Sequence, residues 1–389
     1  SMLAEYHRMA DLLEEAFPGL RQVSKPAWVF QLVAAADSFL FERVTGQNEA
    51  SDSIIAGFPW FGDWGRDTMV SLPGLCLATG RYDIAWRILT TFSEFVNEGM
   101  LPNTFVSGGK KPEYNSVDAS LWYIEAWRAY LQASGDIDAV DDVLPLLEEI
   151  IFAYSDGTRF GISVDPDDGL LMAGIEGQQL TWMDARVDGI EVTPRHGKPV
   201  EVNALWYNAL QSMINFCEEL DQPVDEYQQM AEKVASSFKR FVREDGKGLY
   251  DVLDGPGGND GSIRPNQIIA LSLTYSPRSS SEEMQAIIDT CQQHLLTPYG
   301  LRSLAPSDEK YVGCYEGDAG QRDASYHQGT VWAWLLGHYA LAEYRVTRNP
   351  EAAQKRLDGM QQHLRQAGLG QISEIFDGDI PHVPRGAPA

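Results

Sequence analysis

The sequence of 389 residues is poor in basic side chains: 30 Lys and Arg stand against 56 Asp and Glu, which gives a formal net charge of −26. Binding to a phosphate backbone needs a basic face, so this balance argues against a nucleic-acid partner. It argues equally against a protein that lies on an anionic membrane surface. A neutral substrate remains compatible with it, and we interpret the acidic surface as an aid to solubility.

Cysteine is also scarce, and the four thiols at Cys76, Cys217, Cys291 and Cys314 form no C-x-x-C pair. This excludes a zinc ribbon and a thioredoxin-type site. Scattered cysteines in apolar segments predict buried free thiols in a reducing compartment, and hence a cytoplasmic protein. No apolar run approaches the roughly 20 residues of a membrane span, and the start of the chain has no signal-peptide core.

Three catalytic patterns are missing: the G-x-S-x-G nucleophile elbow, the Walker phosphate loop and the H-E-x-x-H zinc pair. The acidic run at residues 165–169 lacks the spacing of a calcium loop, and we interpret it as a turn. The sequence therefore gives no support to the chemistry that these motifs carry.

Apolar residues recur at the three- and four-residue spacing of helices along most of the chain. The spacing predicts helices over residues 4–17, 27–43, 66–79, 82–98, 117–134, 142–155, 200–220, 226–242, 266–273, 281–295, 325–345 and 350–366. One strand is predicted, over residues 161–164. No long linker divides the chain, so we expect residues 1–389 to form a single domain.

Two of the predicted helix starts carry capping residues. Asn349 precedes Pro350, which suits the first position of a helix. Ser280 stands three residues before Glu283, the spacing of a capping box. These patterns support the predicted starts.

Clusters of aromatic and polar side chains recur near several helix starts. They centre on Asp63, Asp118, Asp184, Gln267 and His327. The intervals from Asp63 to Asp118, from Asp118 to Asp184 and from Gln267 to His327 are 55, 66 and 60 residues. Two helices with their connections take about that many residues. The recurrence favours a ring of helical hairpins with the polar loops on one rim; the alternative is that any aromatic-rich helical protein shows such clusters.

The densest of these clusters is the ten-residue segment 58–67, whose candidate sugar-binding residues are Trp60, Asp63, Trp64, Arg66 and Asp67. The C–H faces of a sugar pack on aromatic rings, and its hydroxyls bond to carboxylates and guanidinium groups. The alternative is a buried pair of Arg66 with Asp67 beneath a core tryptophan. The density of the segment favours a pocket.

Two further helix starts carry candidate sugar contacts: Asn115, Asp118 and Trp122 in one, and Glu201, Asn203 and Tyr207 in the other. Within each set, residues four apart lie on one helix face. Helix capping is an equal alternative for Asn115 and Asp118. We interpret Glu201 as a structural or neighbouring-subsite carboxylate rather than as a catalyst.

Two carboxylates are candidates for acid–base chemistry. Asp184 follows Trp182 closely, and an apolar wall raises the pKa of a carboxyl group, as a general acid requires. A pair with Arg186 would instead lower that pKa, and the sequence leaves both open. Glu374, in a predicted loop after the last helix, is a candidate general base.

The last cluster contains His327, Gln328 and Trp332. His327 has no second histidine at metal-ligand spacing, so we expect no metal site. A hydrogen bond from His327 to a sugar hydroxyl is the functional interpretation. A base or a satisfied core histidine are the alternatives.

Taken in order, these segments resemble the glucosidase domain of glycogen debranching enzymes, the amylo-α-1,6-glucosidase family. The likeness runs from about Pro26 to the end of the chain. It rests on residues 58–67, 113–122, 181–184, 200–210, 326–334 and 373–386. Each segment alone is a weak indication, whereas their combination is specific.

The resemblance implies an all-α (α/α)₆ barrel and inverting hydrolysis of the α-1,6-linked glucosyl stub on a trimmed glycogen branch. Carried over, Asp184 matches the general acid and Glu374 the general base. The residues that match the wall around the terminal glucose are Trp60, Trp64, Arg66 and Asp67. The resemblance implies no metal and no organic cofactor, and inversion needs the two carboxyls about 6.5–9.5 Å apart.

The chain departs from the family pattern at both ends. The family's barrel usually follows another domain, so we expect residues 1–25 to be a leading helix or a linker from a missing N-terminal domain. After Pro384-Arg385-Gly386 the family continues with Cys and a closing helix, whereas this chain has Ala387-Pro388-Ala389. This leaves open whether the ring keeps its last helix.

Three alternatives remain. The first is a trehalase-like or glucosylglycerate-type hydrolase on the same barrel. The second is a sugar-epimerising α/α barrel, which would use His327. The third is a non-catalytic glucan-binding domain.

Overall fold

The computed structural model describes residues 2–17, 26–44, 50–104, 112–277, 280–368 and 370–388. Helices dominate these ranges, as the periodicity predicts. Their bounds are α1 Met2–Ala16, α2 Ala27–Asp37, α3 Gly65–Leu75, α4 Tyr82–Ser93, α5 Ala119–Ser134, α6 Ile137–Asp156, α7 Val200–Glu219, α8 Asp225–Ser237, α9 Asn266–Ser272, α10 Ser281–His294, α11 Ala319–Ser325, α12 Leu335–Thr347, α13 Pro350–Lys355 and α14 Asp358–His363.

The inner layer of the barrel contains α3, α5, α7, α9 and α12, which contact one another in that order. Three of them, α5, α7 and α9, are buried along most of their length. A helix that is enclosed on all sides needs no polar face, so aromatic residues such as Trp127 and Trp206 are tolerated all round it. This layer forms the main hydrophobic core.

The outer layer contains α4, α6, α8 and α10, which pack against the inner helices. Each buries one face only. In α6 the buried residues include Val140, Val143, Leu147 and Ile151, whose three- and four-residue spacing places them on a single stripe. The alternation of inner and outer helices confirms the predicted (α/α)₆ barrel.

Residues near the beginning and the end of the described chain meet at the closure of the ring. Gln371 Nε2 donates to Ser38 Oγ at 2.8 Å, and the Phe58 amide donates to the Pro388 carbonyl at 3.0 Å. Within residues 1–25, expected to be a leading helix or linker, α1 packs against α2, and Arg8 Nη1 lies 2.7 Å from Asp37 Oδ2. Residues 1 and 18–25 lie outside the described part of the chain.

Short antiparallel strands occupy the connections between helices, and the prediction of a single strand is wrong. Their bounds are β1 Leu40–Val44, β2 Ala50–Ile54, β3 Ser163–Val164, β4 Leu171–Met172, β5 Arg186–Val187, β6 Ile190–Glu191, β7 Lys198–Pro199, β8 Val252–Gly255, β9 Gly258–Asp260, β10 Leu296–Thr297, β11 Gly300–Arg302, β12 Val331–Trp332, β13 Ser373–Phe376 and β14 Pro384–Pro388. The largest sheet has the order β10-β11-β12-β13-β14. It brings the residues after the last helix back to the barrel.

Three predicted helices are wrong in part, two of them because strand pairing overrides helical periodicity. Helix α2 ends at Asp37, and the next residues form β1, which pairs with β2. The predicted helix 325–345 begins only at Leu335, since Val331 and Trp332 pair with β11 and β13. The predicted helix 350–366 divides into α13 and α14.

All four cysteines are free thiols. Cys76, Cys217 and Cys291 are buried as predicted, whereas Cys314 is exposed, so the prediction of a buried thiol is wrong there. In the ranges given above, each helix is too short or too polar to cross a lipid bilayer.

Replacement of Ser280 by Ala tests the predicted capping box of α10. Ser280 Oγ accepts from the Glu283 amide at 3.2 Å, and the Glu283 carboxylate accepts from the Ser280 amide at 2.6 Å. We expect S280A to lose about 1 kcal/mol of stability, because the amide loses its acceptor. The measurement is the thermal midpoint. S281A is the matched control, because Ser281 is exposed and does not provide the cap; an equal loss in both variants would contradict the role of the cap.

Candidate active site

Polar and aromatic residues collect at the rim where inner helices begin. Helix α3 starts at Gly65, whose amide donates to the Asn103 carbonyl at 2.9 Å. A Cβ on Gly65 would lie 2.1 Å from the Pro102 carbonyl oxygen, so only glycine permits this close approach. The contact fixes the start of α3, and therefore the position of Arg66 and Asp67, against the neighbouring segment.

Arg66 is the hub of this rim. Its buried guanidinium donates from Nε to Asp118 Oδ1 and Oδ2 at 2.8 and 2.9 Å. Nη2 donates to Ser116 Oγ at 3.0 Å and to the Leu180 carbonyl at 3.3 Å. Nη1 lies 3.5 Å from Asp184 Oδ2. One cation therefore joins α3, the start of α5 and the segment that carries Asp184.

These contacts decide two alternatives that the sequence leaves open. Asp118 is buried, and its carboxylate accepts from Arg66 and from Ser116 Oγ (2.7 Å) rather than capping α5. Asp184 approaches Arg66 and not Arg186, whose guanidinium donates to the Gly177 carbonyl. The cation at the rim is thus shared by two carboxylates from distant parts of the chain.

The environment of Asp184 suits a general acid. Burial raises the pKa of its carboxyl to about 6, against the opposing attraction of Arg66 and with further support from the charges of Asp67 and Asp118. Its side chain keeps 36% of its surface exposed, so the carboxyl is recessed but remains open to a ligand. A group with this pKa is partly protonated near neutral pH.

A cluster of aromatic rings surrounds Trp182, two residues before Asp184. The ring of Trp182 meets His327, Trp332 and Trp334 edge to face, with centroids 5.3–5.4 Å apart. Tyr326 packs on Trp332 at 4.7 Å. These contacts connect the segment of Asp184 with the segment that precedes α12.

Glu374 lies on β13, so its expected place in a loop is wrong. Tyr326 Oη donates to Glu374 Oε1 at 2.5 Å, and the Ala387 amide on β14 also bonds to the carboxylate. Burial raises the pKa of Glu374, and the hydrogen bond from Tyr326 opposes that shift. The sheet thereby fixes the orientation of a carboxylate whose ionised form accepts two hydrogen bonds.

Asp67 lies within electrostatic reach of both candidate catalysts. Its charge contributes to the raised pKa of Asp184 and to that of Glu374. Its own pKa is raised by burial, and Arg66 opposes the shift. Three carboxyl groups from α3, the Asp184 segment and β13 are therefore brought into one electrostatic neighbourhood.

Other predicted residues around the first cluster differ in their exposure. Asp63 is buried and accepts from Ser53 Oγ at 2.9 Å. Trp64 is half-buried at the start of α3, whereas Trp60 is 80% exposed. Trp60 is therefore part of the outer surface and not of an enclosed wall. Asn115 is half-buried, and its Oδ1 has no hydrogen-bond partner within the described ranges.

The predicted residues on α5 and α7 face the interior. Trp122 is buried beside His338. Asn203 Nδ2 donates to the Leu171 and Pro199 carbonyls, and its Oδ1 accepts from the Leu171 amide at 2.7 Å. Its carboxamide thus joins β4 to α7. Tyr207, one turn further along, is half-buried.

Three more predicted residues belong to the support of the rim. Glu201 is buried in an ion pair with Arg195. Gln328 accepts from Arg264 Nη2 at 3.1 Å and donates to Thr193 Oγ1 at 2.9 Å. His327 is 0% exposed, and neither ring nitrogen has a partner among the residues that the structure describes. Burial and the nearby arginines lower the pKa of His327 well below its ordinary value, so the ring is neutral.

Sequence reasoning missed Tyr326, Asn266, Arg195, Asp251 and Gly386. Tyr326 stands beside His327 in a cluster that the sequence did single out, but nothing local indicates that it contacts Glu374. Asn266 adjoins the cluster at Gln267 in the same way. In the described ranges, no three His, Cys, Asp or Glu side chains are grouped as ligands for a metal ion.

Comparison with known proteins identifies relatives that match most of this chain. The family model described as amylo-alpha-1,6-glucosidase matches residues 34–389. The glycogen debranching enzyme of Saccharomyces cerevisiae is 26% identical over 386 aligned positions, which cover 75% of this chain and 25% of that protein. The N,N'-diacetylchitobiose phosphorylase of Vibrio proteolyticus is 24% identical, with 56% of this chain and 28% of that protein covered. The alignments thus span only about a quarter of these curated relatives.

Solved structures share the architecture. Two structures of the GH63 mannosylglycerate hydrolase from Thermus thermophilus, one with Tris and one with glucose, superpose with a TM-score of 0.65 each. The sequence identities are 11% and 13%; the alignments cover 91% and 92% of this chain, and 96% of each of those chains. At such identities the likeness shows the fold, the six-hairpin α/α barrel.

Replacement of Gly386 by Ala tests the support of Glu374. The φ of Gly386 is +71°, and an added Cβ would lie 2.6 Å from Glu374 Oε2. We expect G386A to stay folded but to displace the carboxylate, with a loss of activity of about 100-fold for a shift of about 1 Å. The measurements are a circular dichroism spectrum and the rate of glycoside hydrolysis.

Gly246 offers the matched control, because its φ is +69° and a Cβ there would meet nothing within 4 Å. G246A carries the same backbone strain without the clash. Equal activities of G386A and G246A would show that Gly386 does not support Glu374.

Proposed function

The chain belongs to the amylo-alpha-1,6-glucosidase family of glycoside hydrolases, and we propose that it removes α-1,6-linked glucosyl stubs from trimmed glycogen or a related α-glucan by inverting hydrolysis. The proposed substrate follows the name of the yeast relative, of which the alignment covers a quarter. The observation that carries the proposal is the placement of two carboxyls at one rim: Asp184 lies 3.5 Å from Arg66, and Glu374 accepts from Tyr326. The rings of Tyr326, Trp332 and Trp182 connect the two sides.

In the proposed mechanism Asp184 is the acid. Its protonated carboxyl donates a proton to the glycosidic oxygen, and the bond from the anomeric carbon to that oxygen breaks. Arg66 Nη1, 3.5 Å from Asp184, stabilises the carboxylate that remains after the transfer. Reprotonation from solvent restores the acid for the next cycle.

Glu374 is the base. Its carboxylate removes a proton from a water molecule that attacks the anomeric carbon from the opposite face, so that an α-linkage gives β-glucose. The hydrogen bonds from Tyr326 and Ala387 stabilise the ionised form and hold its direction. An inverting site keeps the two carboxyls about 6.5–9.5 Å apart to admit that water.

The surroundings of the pair suit a neutral sugar. Asp67 and Arg66 offer charged hydrogen-bond partners for hydroxyls, and the half-buried Trp64 offers an apolar ring. Trp60, 80% exposed, offers a further flat surface to a glucan chain. We propose an α-glucan as the partner, with no nucleic acid and no membrane, and a cytoplasmic location in keeping with four free thiols.

A second candidate is a hydrolase of a small glycoside such as a glycosylglycerate, favoured by the architecture shared with the mannosylglycerate hydrolase. It would use the same two carboxyls with a different aglycone. An epimerase that depends on His327 is disfavoured, because that ring is fully enclosed by protein. A substrate panel separates the two hydrolases.

Replacement of each carboxylate tests the assigned roles. With phosphorylase-trimmed glycogen we expect the wild type to release glucose, first seen by NMR as the β-anomer. D184N and E374Q should each lose about 10²–10⁴-fold in rate, because each removes one proton transfer.

Two exposed carboxylates provide matched controls. Asp188 lies in the turn after β5, and Glu309 lies in a turn between β11 and α11. D188N and E309Q make the same chemical changes outside the site and should keep wild-type rates. α-Glucose as the first product would refute inversion, and glucose release by D184N at the wild-type rate would refute the role of Asp184.

The pH dependence of kcat/KM follows from the two pKa shifts. The acid must be protonated, so the rate should fall as pH rises through about 6, the raised pKa of Asp184. The base must be ionised, so the rate should fall at low pH, from a value above the ordinary pKa of a glutamate. A pH–rate profile measures both limbs. A constant rate from about pH 5 to about pH 9 would contradict the assignment.

A further inference from the structure

We infer that Asn266 is a positioning residue for the general acid: its carboxamide ties Trp182, and through it Asp184, to a buried network of charges beneath the rim. The inference rests on the proposed hydrolysis for its effect on rate, but the tie itself is a structural claim. Asn266 is the first residue of α9 and is 0% exposed, so it acts through other residues and not by contact with substrate.

The two partners of Asn266 need a side chain that both accepts and donates, as a carboxamide does. Asn266 Oδ1 accepts from Trp182 Nε1 at 2.7 Å, and Asn266 Nδ2 donates to Asp251 Oδ1 at 2.7 Å. An indole nitrogen can only donate and an ionised carboxylate can only accept. The group between them must therefore offer one acceptor and one donor, which also fixes which way the carboxamide points.

The anchor below Asn266 is a buried network of alternating charges. Asp251 accepts from Arg195 at Nε (2.7 Å) and Nη2 (3.0 Å). Arg195 also pairs with Glu201, and Arg264 lies 3.9 Å from Asp251. All four side chains are at most 4% exposed. Because removal of one partner leaves a buried charge uncompensated, such a network resists displacement.

The segment above Asn266 leads directly to the acid. Trp182 is two residues before Asp184, and the sulfur of Met183, between them, lies 3.7 Å from Asn266 Nδ2 and from Arg264 Nη1. On its other side the segment is held by Arg66, which bonds to the Leu180 carbonyl and approaches Asp184. Asp184 is thus held between Arg66 and the charge network. The bond to Asn266 is the hydrogen bond that joins the Trp182 side chain to that network.

Loss of the tie should misplace the acid without removing it. N266A deletes both hydrogen bonds. W182F deletes the donor that Asn266 accepts, together with part of the ring that packs on His327, Trp332 and Trp334. We expect kcat on phosphorylase-trimmed glycogen to fall about 10–100-fold in each, with KM changed less than about threefold, because a shift of about 1 Å costs about that much. Water admitted beside Asp184 should move the high-pH limb of the profile to lower pH.

The double variant N266A/W182F tests whether the two residues act through one bond. If they do, the double variant should be no slower than the slower single variant. N208A is the matched control: Asn208 is a buried asparagine that bonds to Glu125 Oε2 and to the Tyr275 amide, away from the acid. It should lower the thermal midpoint but leave the pH profile unchanged.

A measurement independent of activity reports on the hydrogen bond from Trp182 to Asn266 itself. In ¹⁵N-tryptophan-labelled protein, the Trp182 Nε1–H resonance, identified by its absence in W182F, should exchange slowly in the wild type and at least about tenfold faster in N266A. Unchanged exchange would overturn the inference, whether or not the protein is active. Faster exchange with wild-type kcat and an unmoved pH profile would overturn the positioning role.

Failure of the proposed function has a different signature. In that case the wild type releases no glucose from trimmed glycogen, while Trp182 exchange still responds to N266A. The tie would then stand, and its effect on rate would be measured on the substrate that the panel identifies. If the losses in rate of N266A and W182F combine in full in the double variant, the inference is overturned on either substrate.

Discussion

The buried guanidinium of Arg66 is the contact on which the organisation of the rim depends. Most of its donors are engaged: Asp118 accepts at Nε, Ser116 and Leu180 accept at Nη2, and Nη1 faces Asp184. Asp118 lies 2.8 Å from the guanidinium and Asp184 lies 3.5 Å from it, so the attraction on Asp184 acts over the longer distance. Burial and the negative charges of Asp67 and Asp118 then outweigh that attraction, and the pKa of Asp184 rises to about 6. Burial and the excess of carboxylates thus favour a retained proton on Asp184, and Arg66 opposes it.

The proposed base, Glu374, is held by a different kind of structure. Glu374 lies in a five-stranded sheet that returns from the last helix to the barrel, with Tyr326 on one side and β14 on the other. A strand fixes side-chain direction by its pairing, and the absence of a Cβ at Gly386 leaves room for the carboxylate. The proposed acid, Asp184, is therefore positioned by ion pairs with residues at helix starts, and the proposed base, Glu374, by backbone pairing in the sheet. The barrel brings the two supports to the same rim.

Four buried charged side chains lie beneath the rim and support it. Arg195, Glu201, Asp251 and Arg264 pair among themselves, and Asn266 extends their hydrogen bonds to Trp182. Such a group is costly to bury and often adds little stability. We infer that its benefit here lies in a defined geometry. The enclosed His327, stacked on Trp332, belongs to the same support and not to the surface that faces a substrate.

The sequence by itself determined most of the helices, the caps at Ser280 and Asn349, the family and the segments that carry polar and aromatic residues. It determined these because they depend on neighbours within about four positions or on a set of motifs in order. It did not determine that Asp118 pairs with Arg66, that Glu374 stands on a strand, or that Trp182 bonds to Asn266. Arg66 and Asp118 are 52 positions apart in the sequence, Tyr326 and Glu374 are 48 apart, and Trp182 and Asn266 are 84 apart. Only the closure of the barrel brings such residues together. Burial at that rim then raises the pKa of carboxyl groups such as those of Asp184 and Glu374.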